Sequence, residues 1–243
     1  MNITPSTEQA GKIIYNLRRG IVPEDGFQYF AVGRQEEVIG DLEGLEHVKN
    51  GGNTVKILIG DFGSGKTLEK NRCRLFASKK GFVTSAVDFG PGIRLYANDG
   101  TSLALWKHLV ENLFPSLETI LDEFAAKCRE GDSMKLAEET ARSITVVDSI
   151  YFNQMILKYV KAYNDEDALM KDSVIRWLSG AYRRREDARR DLGQDVEEIM
   201  TDGNWYNILK CFSRFVCLCG FSGLAIYLDE AINLYKIDSP ALR

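Results

Sequence analysis

The stretch Gly60-Asp61-Phe62-Gly63-Ser64-Gly65-Lys66-Thr67, directly preceded by the apolar run Val55-Lys56-Ile57-Leu58-Ile59, decides how this chain is read. It fits the G-x-x-x-x-G-K-[ST] phosphate-binding loop, and it follows a candidate strand and opens a candidate helix, as that loop must. Glycines let backbone N–H groups curl around a phosphate, and a helix that starts near Gly65 points its positive end at the anion. Lys66 supplies a mobile charge for the β- and γ-oxygens, and the Thr67 hydroxyl is a ligand type suited to Mg²⁺. The whole 60–67 loop is therefore the expected ATP or GTP site. A chance match within a glycine-rich turn would lack the agreeing strand and helix.

The second half of the expected site lies far downstream. Leu224-Ala225-Ile226-Tyr227-Leu228-Asp229-Glu230 is an apolar run of strand length that ends in two carboxylates, the Walker B pattern. Asp229 is the candidate Mg²⁺ holder, with Thr67, and Glu230 is the candidate base that polarises the attacking water, with Lys66 stabilising the phosphoryl charge. A strand that merely ends in an acidic turn is the plain alternative, and the upstream loop weighs against it.

Composition fits a globular enzyme or switch: of 243 residues, 44% are hydrophobic and 27% charged. No apolar stretch approaches the roughly 18 to 20 residues that span a bilayer, and the N-terminus lacks the features of a signal peptide, so a cytoplasmic location without membrane contact is expected. Five cysteines form no C-x-x-C pair and there are only two histidines, so no zinc constellation is expected. Cys211, Cys217 and Cys219 sit in an apolar segment and read as small core residues. A net charge of −4 argues against indiscriminate nucleic-acid binding.

Along the chain, residues 7–19 have helical spacing, 20–33 read as a connector, and 35–48 as a helix loosened at Gly40 and Gly44. Ala31 to Arg34, with Gly33 and Arg34 foremost, form a candidate contact on the base side of the nucleotide. Residues 67–79 are the expected phosphate-loop helix and 81–89 the next strand, which completes a β-α-β unit. Helices are expected over 103–113, 117–129, 134–147, 150–163, 165–180 and 205–219. About 160 residues separate Lys66 from Asp229, whereas one strand and two helices need only about 50. The expected layout is thus an N-terminal helix and connector (1–30), the Walker A part of the core (31–100), a helical insertion (101–221), and the Walker B strand with the C-terminal end (222–243). The fold class is α/β, a P-loop NTPase with a small parallel sheet and a large helical insertion. Within the insertion, Arg183, Arg184, Arg185, Arg189 and Arg190 stand among three acids; a solvated helix face or hinge with local ion pairs is the plain reading, and DNA-backbone or protein contact the functional one.

The combined segments Arg18-Arg19-Gly20-Ile21-Val22-Pro23, Val32-Gly33-Arg34, the 60–67 loop, Trp177-Leu178-Ser179-Gly180 and the strand from Gly223 through Glu230 to Leu234 resemble the ATP-binding P-loop proteins of bacterial BREX phage-defence systems. The likeness spans roughly residues 10 to 235. It implies a bacterial, cytoplasmic, AAA+-like ATPase with Lys66, Thr67, Asp229 and Glu230 in the usual roles and ATP and Mg²⁺ as cofactors. Members of that group continue past the Walker B strand, which implies that the later core strands are missing here and that this chain is a fragment. In the glutamate-bearing branch one of those strands lies between the Walker A and Walker B strands, so 55–59 and 224–228 are not expected to pair directly.

Two functions compete. One is an ATPase that couples nucleotide state to a partner protein or to DNA, resting on Glu230 after Asp229. The other is a nucleotide-gated binding or scaffold module with little hydrolysis. A nucleic-acid-binding module with incidental nucleotide affinity comes third, and oligomerisation is compatible with each. The absence of an Asn/Thr-Lys-x-Asp motif disfavours GTP.

Overall fold

In a computed structural model the described residues are 4–19, 23, 26, 29, 35–61, 63–90, 92–131, 133–147 and 149–231. The chain divides into two compact units, residues 1–80 and 81–243. The elements are α/β in kind, mostly helical with one small parallel sheet.

The first unit holds α1 (Thr7–Arg18), α2 (Gln35–Lys49) and α3 (Lys66–Lys79). Helix α1 begins with a capping box: Ser6 accepts from the Gln9 N–H, and the Gln9 side chain accepts from Ser6 N–H. Helices α2 and α3 pack on each other, with the phosphate-loop sequence and its 52–60 lead-in between them in the chain. The expected strand at 55–59 differs from what is found. These residues belong to no regular element and join no sheet among the described residues, because a strand exists only where a neighbour takes its ladder hydrogen bonds. Val55, Ile57 and Ile59 are 88%, 78% and 94% exposed.

The second unit holds β1 (Val83–Asp88), then α4 (Thr101–Glu111), α5 (Leu117–Glu130), α6 (Ser133–Arg142), α7 (Ser149–Asn164), α8 (Ala168–Leu178), α9 (Arg185–Leu192), α10 (Trp205–Leu218) and β2 (Leu224–Asp229). Strands β1 and β2 pair in parallel, register Val83↔Leu224 through Asp88↔Asp229. The other edge of β1 is engaged by Phe114, which exchanges two backbone hydrogen bonds with Thr84. Every element described between residues 101 and 221 is helical apart from that bridge.

Periodicity explains why the helices pack. In α10 the buried set Trp205, Ile208, Cys211, Phe212 and Phe215 recurs every three or four residues, one apolar stripe. Phe215 meets Phe124 of α5 and Phe152 of α7 edge to face, with ring centroids 5.0 and 5.8 Å apart. Two of the buried indoles have backbone partners: Trp106 donates to Leu178 O at 2.8 Å and Trp177 to Glu198 O at 2.9 Å. Helix α4 begins at Gly100, which has no side chain to cap it; the Asp202 carboxylate instead accepts from Gly100 N, Leu103 N and the Ser102 hydroxyl. Cys211 and Cys219 are buried as expected, but Cys217 is exposed, because it falls on the face of α10 opposite that stripe. No helix of the described residues is long and apolar enough to cross a membrane.

Candidate functional site

In the first unit, Gly63 and Gly65 take φ of 80° and 91°, left-handed values that a side chain disfavours. At Gly60 a Cβ would lie 2.6 Å from the Ser64 hydroxyl, which would have to rotate away. These glycines shape an exposed turn that leads into α3, whose first residue is Lys66. The Lys66 amine folds back on the loop and donates to Gly60 O and Asp61 O, both at 2.8 Å. Thr67 stands exposed on the first turn of α3. Phe62, Gly33 and Arg34 lie outside the described residues.

Behind the loop sits a group of charges that sequence reading missed. Asp41 of α2, Glu69 and Arg72 of α3 are 8%, 3% and 5% exposed. The Arg72 guanidinium pairs with Glu69 and lies 3.6 Å from Asp41, while Lys56, on the lead-in to the loop, pairs with Asp41 and lies 3.9 Å from Glu69. The Cys73 thiol donates to Asp41 at 2.9 Å. Burial works to raise the Asp41 pKa, but the hydrogen bonds from Cys73 and Lys56 outweigh it and hold the carboxyl below its usual range. Glu69 is pushed up by burial and by its hydrogen bond with Asp41, and the Cys73 thiol is raised by burial and by Asp41, which keeps it neutral. Asp41, Glu69 and Cys73 each offer a ligand atom within 4.8 Å of the others. Two cations already neutralise both carboxylates, so the chemistry of the group is that of an ion network rather than a metal cage.

In the second unit, β2 delivers Asp229 half-buried and Glu230 exposed at its carboxyl end. Glu230 adopts φ 56°, and its N–H donates to the Asp229 carboxylate at 2.8 Å. The strand register sets Asp88, at the end of β1, directly beside Asp229. Asp88 also closes a strand in the sequence, a signal that was available but was not used. The arginine run forms α9 and what precedes it. Arg185 pairs with Glu198 at 3.3 Å, Arg190 with Asp187 and Asp191 at 3.2 and 3.0 Å, and Arg189 donates to Val196 O; Arg183 and Arg184 are exposed.

An α/β chain with a glycine-rich loop at a helix N-terminus and an acidic strand end belongs to the class of nucleotide-binding proteins that its motifs describe. A family model, BREX system ATP-binding protein BrxC/D, matches residues 6–243, and the chain belongs to that family of ATP-binding phage-defence proteins. Neither the curated proteins nor the solved structures give a match.

Proposed function

We propose that this protein binds ATP with Mg²⁺ at the 60–67 loop and hydrolyses it, coupling nucleotide state to a partner in phage defence. The observation that carries the reading is the loop itself: left-handed glycines, a Gly60 packed close to the Ser64 hydroxyl, and a helix that begins at Lys66. Such a turn presents backbone N–H groups and a positive helix end to an anion. The Lys66 amine, now on the carbonyls of Gly60 and Asp61, is the group that would exchange these neutral acceptors for phosphate oxygens. Thr67 and Asp229 are oxygen ligands of the kind Mg²⁺ takes, and the metal would neutralise charge on the terminal phosphates. Glu230 is the proposed base for the attacking water, and its exposed carboxylate at a strand end suits that role. Gly33 and Arg34 are retained as the base-side contact. This is a P-loop NTPase core of AAA+-like type, in four segments: 1–30, 31–100, 101–221 and 222–243.

The proposed partner is a protein, or DNA met through the arginine run. Within that run Arg185, Arg189 and Arg190 make contacts inside the chain, while Arg183, Arg184, Arg185 and Arg190 are all exposed. Calorimetry tests the central assignment. Lys66→Ala should weaken Mg²⁺-ATP binding about tenfold or more, about 1.4 kcal/mol per decade, for loss of a charge-assisted phosphate contact. Unchanged affinity would remove the loop from the nucleotide site.

A further inference from the structure

Lys56 interrupts an otherwise apolar run, Val55-Lys56-Ile57-Leu58-Ile59. Exposure alternates along the run, as it does where successive side chains point to opposite sides, with Lys56 and Leu58 on the less exposed side and Val55, Ile57 and Ile59 on the other. Leu58 is 39% exposed, the other three apolar residues at least 78%. Lys56 therefore fixes which side of the lead-in turns toward α2 and α3.

Its contacts define a tie. Lys56 precedes Gly60 by four residues, on the stem that leads into the loop; Glu69 follows Thr67 by two, on the helix that leads out. Lys56 pairs with Asp41 of α2 and lies 3.9 Å from Glu69, and Arg72, on the second turn of α3, pairs with Glu69 and lies 3.6 Å from Asp41. The two ends of the 60–67 loop are thus held to one buried carboxylate. Fixing the ends of a short loop removes conformations that a ligand would otherwise have to remove on binding, and a preorganised anion nest gains affinity on that account. The Lys66 amine adds a second closure inside the first, from the head of α3 back to Gly60 and Asp61.

We infer that Lys56 is a positioning residue for nucleotide binding: by joining the lead-in to Asp41 and Glu69 it holds the phosphate loop in its anion-ready form. The inference rests on the reading of 60–67 as the ATP site. Lys56 reaches the loop only through the stem it anchors. Its side chain is 46% exposed, unlike those of Asp41 and Arg72, and when it is replaced the Arg72 guanidinium, 3.6 Å from Asp41, remains as a counter-charge for that buried carboxylate.

The test uses the full chain with Mg²⁺-ATP. Lys56→Met, Lys56→Arg and Lys66→Ala are compared with the parent by calorimetry, well below each variant's melting temperature. Lys56→Met should bind ATP about tenfold more weakly, and Lys56→Arg, which restores the cation, within about threefold of the parent. Hydrogen exchange in ATP-free protein supplies the second readout: amides of peptides covering 60–67 should exchange faster in Lys56→Met, while those of β1 and β2 stay as in the parent. A merely stabilising lysine would lower the melting temperature and leave both readouts unmoved in the folded protein. If Lys66→Ala binds as the parent does, the site reading itself fails. If Lys66→Ala loses affinity while Lys56→Met keeps parental affinity and loop exchange, the site stands and the positioning role is overturned. Should Lys56→Met fold poorly, Lys56→Gln, which keeps a donor without the charge, is measured against the same two expectations.

Discussion

Asp202 and helix α4 lie about a hundred residues apart in sequence, yet one carboxylate closes the start of that helix. It accepts from Gly100 N at 2.5 Å, Leu103 N at 2.7 Å and the fully buried Ser102 hydroxyl at 2.8 Å. Asp99 adds a second acid, accepting from Thr101 N–H and hydroxyl. In Asp202→Ala the cap is lost, at about 0.5–2 kcal/mol, and Ser102 is left buried without this partner, at about 1–3 kcal/mol. Asp99 remains, so a net loss of about 2–4 kcal/mol is expected, or roughly 5–12 °C in melting temperature for a unit of this size. Asp202→Asn keeps one acceptor oxygen and loses the charge that faces the positive helix end, so it should cost only about 1 kcal/mol. Urea unfolding followed by tryptophan fluorescence reads the effect directly, because Trp106 lies on α4 and Trp205 begins α10 just after Asp202. A loss below about 0.5 kcal/mol for Asp202→Ala, or equal losses for both variants, would refute the capping argument.

The cysteines offer two further expectations. In native protein a thiol reagent should modify Cys217 first, since Cys128, Cys211 and Cys219 are buried, and equal rates for all four would contradict the packing of α10. Burial pushes the Cys128 thiol up to about 11 and the Cys219 thiol up to about 12, against about 8.5 in an unfolded chain. A folded pKa raised in this way means that the unfolded chain releases its proton first. The stability contributed by the neutral thiols is complete below about pH 8.5 and is lost as pH rises toward 11 to 12. The melting temperature should fall across that window, and less steeply in Cys128→Ala; identical slopes would show that the thiol does not titrate between the two states.

Local signals were legible and long-range ones were not. The helix that opens at Lys66 could be read because adjacent residues mark its start, and the helices of the second unit because apolar residues recur at helical spacing; observed boundaries such as Leu117–Glu130 and Ser149–Asn164 fall within a residue or so of expectation. Helix α6 ends at Arg142 rather than near 147, where Ser143 and Ile144 make the tight closing turns. Lys56 reads in the sequence only as part of the apolar run, because its partner Asp41 lies fifteen residues earlier on α2. Cys217 looked buried because three cysteines close together in an apolar segment hide which face each one occupies. The 55–59 run shows the limit of reading from composition: strand-like residues state a preference, and only a paired neighbour turns it into a ladder.

Backbone conformation at Glu230 was equally invisible in the sequence, and it leads to a prediction in which stability and activity separate. Among the described residues, two non-glycine residues take φ of 56°, Glu166 and Glu230. Glu166 is explained by its helix: it follows the end of α7, where Glu166 N–H bonds to Tyr163 O and Asp167 N–H to Ala162 O, the pattern of a helix that ends in a left-handed residue. Glu230 has no helix before it. It follows β2 directly, and the bond from its N–H to the Asp229 carboxylate belongs to that turn. A left-handed residue with a Cβ costs about 1–2 kcal/mol, and such outliers collect where function requires a particular side chain. Glycine relieves that cost but is freer in the unfolded chain by about 0.5–1 kcal/mol, so Glu230→Gly should equal or slightly exceed the parent in stability. Glu230→Ala keeps the strain and should fall below Glu230→Gly by about 1 kcal/mol. Under the proposed mechanism neither variant supports ATP turnover, since both lack the base, and Glu230→Gln should bind ATP yet fail to hydrolyse it. Equal melting temperatures for the glycine and alanine variants would show that no strain is stored at the strand end. Turnover retained in Glu230→Gln would show that the strain serves something other than a water-activating carboxylate.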